Sequence, residues 1–185
     1  MALTVAPDFT DGILTPARLQ QLSDAINERS IIRVRMSADQ ALATSSTVLQ
    51  NLTELLVAVE AGAVYDGLFV PAWTLATGTT EDIKFGFTFP SATFDFGGPG
   101  PSTAGLGAGT AVASDVEFIA RLSATSGTTV VSYGASTGTP CAIVSFTLAV
   151  GGSAGSLQAQ AAQNTSGGNA VTVKAGTKLW MWRVS

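Results

Sequence analysis

After about residue 30, hydrophobic positions along the chain recur with a period of two, the spacing that puts successive side chains on opposite faces of a strand. The clearest run is Leu55–Val70, LLVAVEAGAVYDGLFV. Val57 and Val59 alternate with Ala58 and Glu60, and Val64, Asp66, Leu68 and Val70 alternate with Tyr65, Gly67 and Phe69. Two such runs around the Gly-containing connection Glu60-Ala61-Gly62-Ala63 predict a β-hairpin. Apolar groups on both faces of its second strand predict cover from both sides.

Further strands follow from the same pattern. Ile31–Met36 alternates Ile32 and Val34 with Arg33 and Arg35, a half-exposed strand. Ser37–Ser46 is small and polar and reads as a loop, with a short strand at Thr47–Leu49. Pro71–Thr80, carrying Trp73, reads as a loop. In Asp82–Pro90, Ile83, Phe85, Phe87 and Phe89 share one face, and Gly86 opposite them marks close approach of another backbone. Thr93–Phe96 is a short strand, and Gly97–Gly109, rich in Gly, Pro, Ser and Thr, a long loop. Val112–Leu122, Thr128–Tyr133, Cys141–Val150, Leu157–Gln163, Val171–Val173 and Leu179–Val184 complete the set. In the last strand Trp180, Trp182 and Val184 share one face, and Leu179 and Met181 the other. Large apolar groups on both faces predict a central strand, with one face in the core and one in an interface.

The N-terminal segment has a different period. Met1–Gly12 is an irregular arm. Thr15 is a good N-cap, Pro16 suits the first helical position, and Leu14 and Leu19 fit a hydrophobic staple. Leu19, Leu22 and Ile26 form one apolar stripe, so a helix should run to about Asn27–Ser30. A helix this short is marginal alone. Docking on its own β domain, or on copies or another surface, satisfies it equally well. About ten strands and one helix give an all-β chain, an antiparallel, jelly-roll-like β-sandwich over 31–185 behind an arm and α-helix over 1–30.

Composition sharpens the picture. The 185 residues are 46% hydrophobic but only 12% charged, about half the usual charged share, which suggests a surface that meets other protein. From Leu122 to Val173 there is no charged residue, so those strands lack the usual defence against edge-to-edge pairing. A net charge of -4 argues against nucleic acid, which needs clustered Lys and Arg. Met1–Thr10 lacks the pattern of a secretion signal, and no apolar run approaches the roughly 18 residues of a membrane span. Cys141, the single cysteine, reads as a small buried strand residue, and the missing disulfides suit a reducing compartment.

Candidate chemistry is sparse. There is no histidine, which removes the commonest general base and zinc ligand, and one cysteine cannot build a thiolate metal site. Glu81 with Asp82, and Asp115 with Glu117, are the carboxylate pairs that could serve glycoside hydrolysis, but both read as solvated strand-end charges. A carbohydrate-binding module would need an exposed aromatic platform or a carboxylate pair in a groove. No enzyme, cofactor or metal is expected.

The order of features resembles a known group. A short arm leads to TPARLQQLSDAIN, then a strand with Arg35 and Ser37-Ala38-Asp39. Ser45–Gln50 precedes the segment Leu55–Tyr65, and Asp82–Pro90 follows. Ala161-Ala162-Gln163-Asn164-Thr165-Ser166 and the turn before Leu179-Trp180 close the chain. This resembles small structural proteins of tailed bacteriophages, variously called capsid decoration proteins, head fibres or minor tail proteins. The resemblance implies a jelly-roll-like homotrimer held to the virion by its N-terminal segment. It would be assembled in the bacterial cytoplasm, with the major capsid protein or other virion proteins as partners and no nucleic acid or membrane. The expected capsid-attachment residues are Leu14, Leu19, Leu22 and Ile26, and the expected trimer-interface residues are Leu179 and Met181. A tail or fibre component binding a host receptor or surface carbohydrate is the alternative. The Gly97–Gly109 loop has no counterpart in the resemblance.

Overall fold

Thirteen strands emerge among the described residues, and their pairing is that of one long double strand rolled up. The structure, a computed structural model, describes residues 16, 19–20, 31–75, 82–101, 116–124, 130–133 and 139–185, and only the backbone of 100–101, 116–124 and 130–131. The first half of the chain supplies β1 (Ile31–Arg35), β2 (Gln40–Ala41), β3 (Gln50–Val59), β4 (Val64–Val70), β5 (Trp73–Leu75) and β6 (Ile83–Thr88). β7 (Ala92–Pro101) and β8 (Val116–Ala124) lie at the middle. The return half supplies β9 (Val130–Tyr133), β10 (Val144–Val150), β11 (Gly155–Gln163), β12 (Val171–Val173) and β13 (Lys178–Arg183).

The antiparallel pairs are nested. β1 pairs with β13, β2 with β12, β3 with β11, β4 with β10 and β6 with β9. Ile31 faces Trp182, Ala41 faces Thr172, Leu68 faces Ser145, and Ala72 faces Cys141 in an isolated bridge. The two residue numbers have the same sum in all four pairs, so one register runs through these ladders without net insertion on either side. Winding this double strand yields a six-stranded sheet, β1-β13-β4-β10-β7-β8, and a four-stranded sheet, β3-β11-β6-β9. The strands β1, β13, β4 and β10 of one sheet and β3, β11, β6 and β9 of the other have the order of an eight-stranded jelly roll. β7 and β8 are a pair inserted between β6 and β9 that widens the first sheet, and β2-β12-β5 forms a small third sheet.

One apolar cluster fills the sandwich. Phe69 on β4 meets Phe85 and Phe87 on β6 edge to face, with ring centroids 5.3 and 5.4 Å apart. Phe87 also reaches Phe94, Phe96 and Phe146 of the six-stranded sheet. At one end Trp73 stacks on Tyr133, and both are fully buried.

Several expectations change. The runs around residues 60–63 are both strands but do not pair with each other. β3 lies in the four-stranded sheet and β4 in the six-stranded one, so the turn is an arch between sheets. Gly62 has φ of +72°, which suits glycine, and its N–H donates to the Gly151 carbonyl of the companion β10–β11 crossing (2.8 Å). Trp73 belongs to β5 rather than a loop, and β3 begins at Gln50, after the segment expected to be a short strand. The glycine-rich 97–101 continues β7, with a bulge between Phe96 and Gly98. A Cβ on Gly98 would lie 1.9 Å from the Ile143 carbonyl, so the absence of a side chain permits the close crossing there. Cys141 is exposed, not buried. β4 is covered on one face only, since its Asp66, Leu68 and Val70 face is half-buried. In the uncharged span, β10, β11 and β12 are each flanked by two partners, which accounts for their lack of charge within the chain itself, whereas β9 is an edge strand paired with β6 alone. Of the expected helix only Pro16, Leu19 and Gln20 are described. They are helical and exposed, and the rest lies outside the described residues.

Two buried details carry stability. β3 and β11 slip register between Gln158 and Gln160, which leaves Leu52–Leu55 without partners on β11. The Gln158 amide fills the gap, donating to the carbonyls of Leu52 (2.8 Å) and Leu55 (3.1 Å). Gln158→Leu strands both acceptors and should lower unfolding free energy by about 1–3 kcal/mol in urea titrations. A Cβ on Gly67 would sit 2.2 Å from the Phe146 ring and 2.5 Å from the Trp180 carbonyl. Gly67→Ala should therefore cost about 1–3 kcal/mol or more. Gly168→Ala, with nothing within 4 Å of the added atom, should be close to neutral in the same titration.

Candidate interaction face

The outer face of the six-stranded sheet collects the side chains that the core does not use. Alternation on β13 turns Leu179 and Met181 inward, where both are 0% exposed, and leaves Trp180 and Trp182 outward and half-buried. The expected interface residues Leu179 and Met181 thus belong to the protomer's own core. The reason is register. Met181, Gly67, Phe146 and Phe96 form one inward row across four strands, with the Phe146 ring lying over Gly67.

The outward rows are ordered by the same register. One runs Ile31, Trp182, Asp66, Thr147, Asp95, and the next runs Arg33, Trp180, Leu68, Ser145, Gly97. Between them lies a groove of about 500 Å³ lined by Asp66, Leu68, Asp95, Ser145, Thr147 and Trp182. The Thr147 hydroxyl donates to Asp66 Oδ1 (2.7 Å), and the Ser145 hydroxyl to the Gly97 carbonyl (3.0 Å). The β1–β13 side of the face is basic. Lys178 Nζ lies 4.6 Å from the centroid of the Trp180 ring, Arg33 Cζ lies 5.9 Å from it, and Arg35 faces Lys178 across the ladder. Each cation–π contact at such a site contributes about 0.5–1 kcal/mol. Ile31 (49% exposed), Ile143 (47%) and Val184 (40%) add apolar surface around this face.

β13 is anchored at its start by the turn before it. Asp39 Oδ1 accepts the Ala175 N–H (2.8 Å), and its other oxygen pairs with Lys174 Nζ. Thr177, fully buried, accepts the Ala72 N–H on its hydroxyl (3.0 Å). Glu54 similarly accepts the Ser37 N–H (2.9 Å).

Of the expected attachment residues, Leu19 is described and 49% exposed. Leu14, Leu22 and Ile26 lie outside the described residues. Trp73 is a core residue. Asp82 is half-buried beside β6, whereas Glu81, Asp115 and the Glu117 side chain lie outside the described residues. Asp66 and Asp95 were not singled out from the sequence, although a lone carboxylate amid the apolar run Val64–Val70 marks an outward position. Among the described residues no group of three or more His, Cys, Asp or Glu could hold a metal, and no helix is long and apolar enough to cross a membrane. Comparison with known protein families and with curated proteins finds no match.

The anchor generates a pH dependence. The Ala175 N–H, then Lys174, hold the Asp39 carboxyl below its ordinary pKa. A lowered folded-state pKa contributes stability that is present above the unfolded value, near 3.9, and is lost as pH falls through the folded value. Thermal unfolding followed from pH 6 down to pH 2 should show a steeper loss for the unmodified protein than for Asp39→Asn, the two curves converging at the acid end. Glu54, lowered chiefly by the Ser37 N–H, contributes the same sign in both proteins and cancels in the difference.

Proposed function

We propose that the chain is a virion structural protein of a tailed bacteriophage, a capsid decoration or head-fibre protein that binds the capsid surface as a homotrimer. Its work is binding rather than catalysis. The carrying observation is the outer face of β13 and β4, central strands that nonetheless present Trp180, Trp182 and Leu68 half-exposed on a chain with few charges. Interface cores are enriched in aromatic residues, and this face carries two tryptophans side by side with Leu68. In the trimer the Trp180 and Trp182 side takes the role first expected of Leu179 and Met181. The order of sequence features that resembles the phage group supports the virion location, and the jelly-roll strand order agrees with the fold which that resemblance implies.

In this reading the N-terminal segment attaches the trimer through Leu14, Leu19, Leu22 and Ile26, and the exposure of Leu19 suits a residue whose partner is another protein. A second reading, a tail or fibre component that binds a surface carbohydrate, is favoured by one feature. The groove places Trp182 beside Asp66, with Asp95 beyond Thr147, an aromatic and two carboxylates in one concavity.

Leu19→Glu with Leu22→Glu in the full chain should abolish binding to particles stripped of the protein, while the thermal unfolding of the β domain stays as it was. Sedimentation of particles with bound protein reads the first and calorimetry the second. Full occupancy by the double variant would remove the attachment reading.

A further inference from the structure

The outer face of the six-stranded sheet is divided by charge, and the division has a consequence for how copies meet. Arg33, Arg35 and Lys178 lie over β1 and β13. Asp66 and Asp95 lie over β4 and β7, lining the groove. The half-buried Trp182 stands between, paired in register with Ile31 on the basic side and Asp66 on the acidic side. We infer that the groove of one copy receives the basic strip of the next, with Arg33 directed at Asp66 and the neighbouring apolar surface closing over Trp182. This inference rests on the homotrimer proposed above.

Three observations carry it. A closed ring of three copies needs a heterologous contact, two different patches that fit each other, and this face supplies two of opposite sign. The groove, at about 500 Å³, is an open concavity with room for an arginine side chain. Its hydrogen bonding also leaves capacity: the Thr147 hydroxyl takes up one site on Asp66 Oδ1, whereas an ionised carboxylate offers about four lone-pair positions. A guanidinium brings planar donors matched to a carboxylate, and closure of Ile31 and Leu68 around the pair would exclude water and strengthen it. Charge placed this way sets orientation and register more than total affinity, and it opposes the acid-on-acid and base-on-base arrangements of the same two faces.

The test is a charge exchange in the full chain, read by light scattering at micromolar concentration with circular dichroism to confirm folding. Arg33→Glu and Asp66→Arg, made singly, should each weaken assembly about a hundredfold or more. The two together in one chain should restore the unmodified assembly, because each altered groove meets an altered strip. Raised salt should weaken the unmodified contact in the same direction. Where a reversal unfolds the chain, Arg33→Gln and Asp66→Asn carry the same question with smaller losses. Single variants that assemble like the unmodified trimer overturn the pairing and leave the trimer standing, as do singles that dissociate without rescue by the double. An unmodified monomer of 18.8 kDa overturns both. If that monomer binds an oligosaccharide and loses it on Trp182→Ala, the groove belongs to the carbohydrate reading instead.

Discussion

The edge-to-face contact of Phe69 with Phe85 and Phe87 ties the two sheets together and fixes which faces of β4 and β6 turn inward. Each fully buried phenylalanine contributes roughly 1.5–3 kcal/mol from burial, and well-placed ring pairs add about 0.5–1.5 kcal/mol. With Phe94, Phe96 and Phe146 joining through Phe87, the centre of the sandwich is a single aromatic layer. Because side chains alternate, slipping any of these strands by one residue would expel its rings into water and turn its polar row inward. The same alternation that buries Phe69 therefore points Leu68 and Val70 outward, and the alternation that buries Met181 points Trp180 and Trp182 outward.

How much of this was legible in the sequence depended on the range of the interaction that decides it. Strand positions are set locally, and the alternating runs at 31–36, 55–70, 83–89 and 179–184 all became strands. Pairing is set by residues far away. The turn at 60–63 has the glycine that a hairpin needs, but the same backbone serves an arch. What selects the arch is β11 bonding to β3 and β10 bonding to β4, partners 75 to 111 residues on in the chain. The glycine-rich stretch at 97–101 read as a loop because composition cannot distinguish a flexible segment from a strand pressed against the Ile143 carbonyl. The groove was invisible for a related reason: its walls come from β4, β7, β10 and β13, which only the rolled topology brings together.

Assigning the faces of β13 depended on register. Large apolar groups on both faces of β13 left open, from the sequence alone, which face the core would take. The register decides it: Leu179 lies opposite Phe69 and Met181 opposite Gly67, in one inward row with Phe146 and Phe96, so this pair joins the core. Outward, Trp180 is accommodated by Arg33 and Lys178, whose charges lie beside its ring. A large aromatic on a central strand is thus made tolerable to water by its neighbours rather than by burial.

The scarcity of charge has the same topological origin. A strand flanked on both sides needs no charge to prevent unwanted pairing, and nesting the pairs makes β10, β11 and β12 internal to their sheets. Charge appears instead on outward rows and at some of the edges, although the edge strand β9 has none. β1, at an edge of the six-stranded sheet, carries Arg33 and Arg35, while Glu54 lies on β3 at an edge of the four-stranded one. Asp66, on the internal strand β4, is different. Its neighbour β13 already pairs with it in the ladder, so its carboxylate serves no protective role at an edge, and with Thr147 it instead shapes the outer surface. A fold with few charges thus places a carboxylate on the outer face at the centre of its largest sheet, where the ladder itself has no need of it.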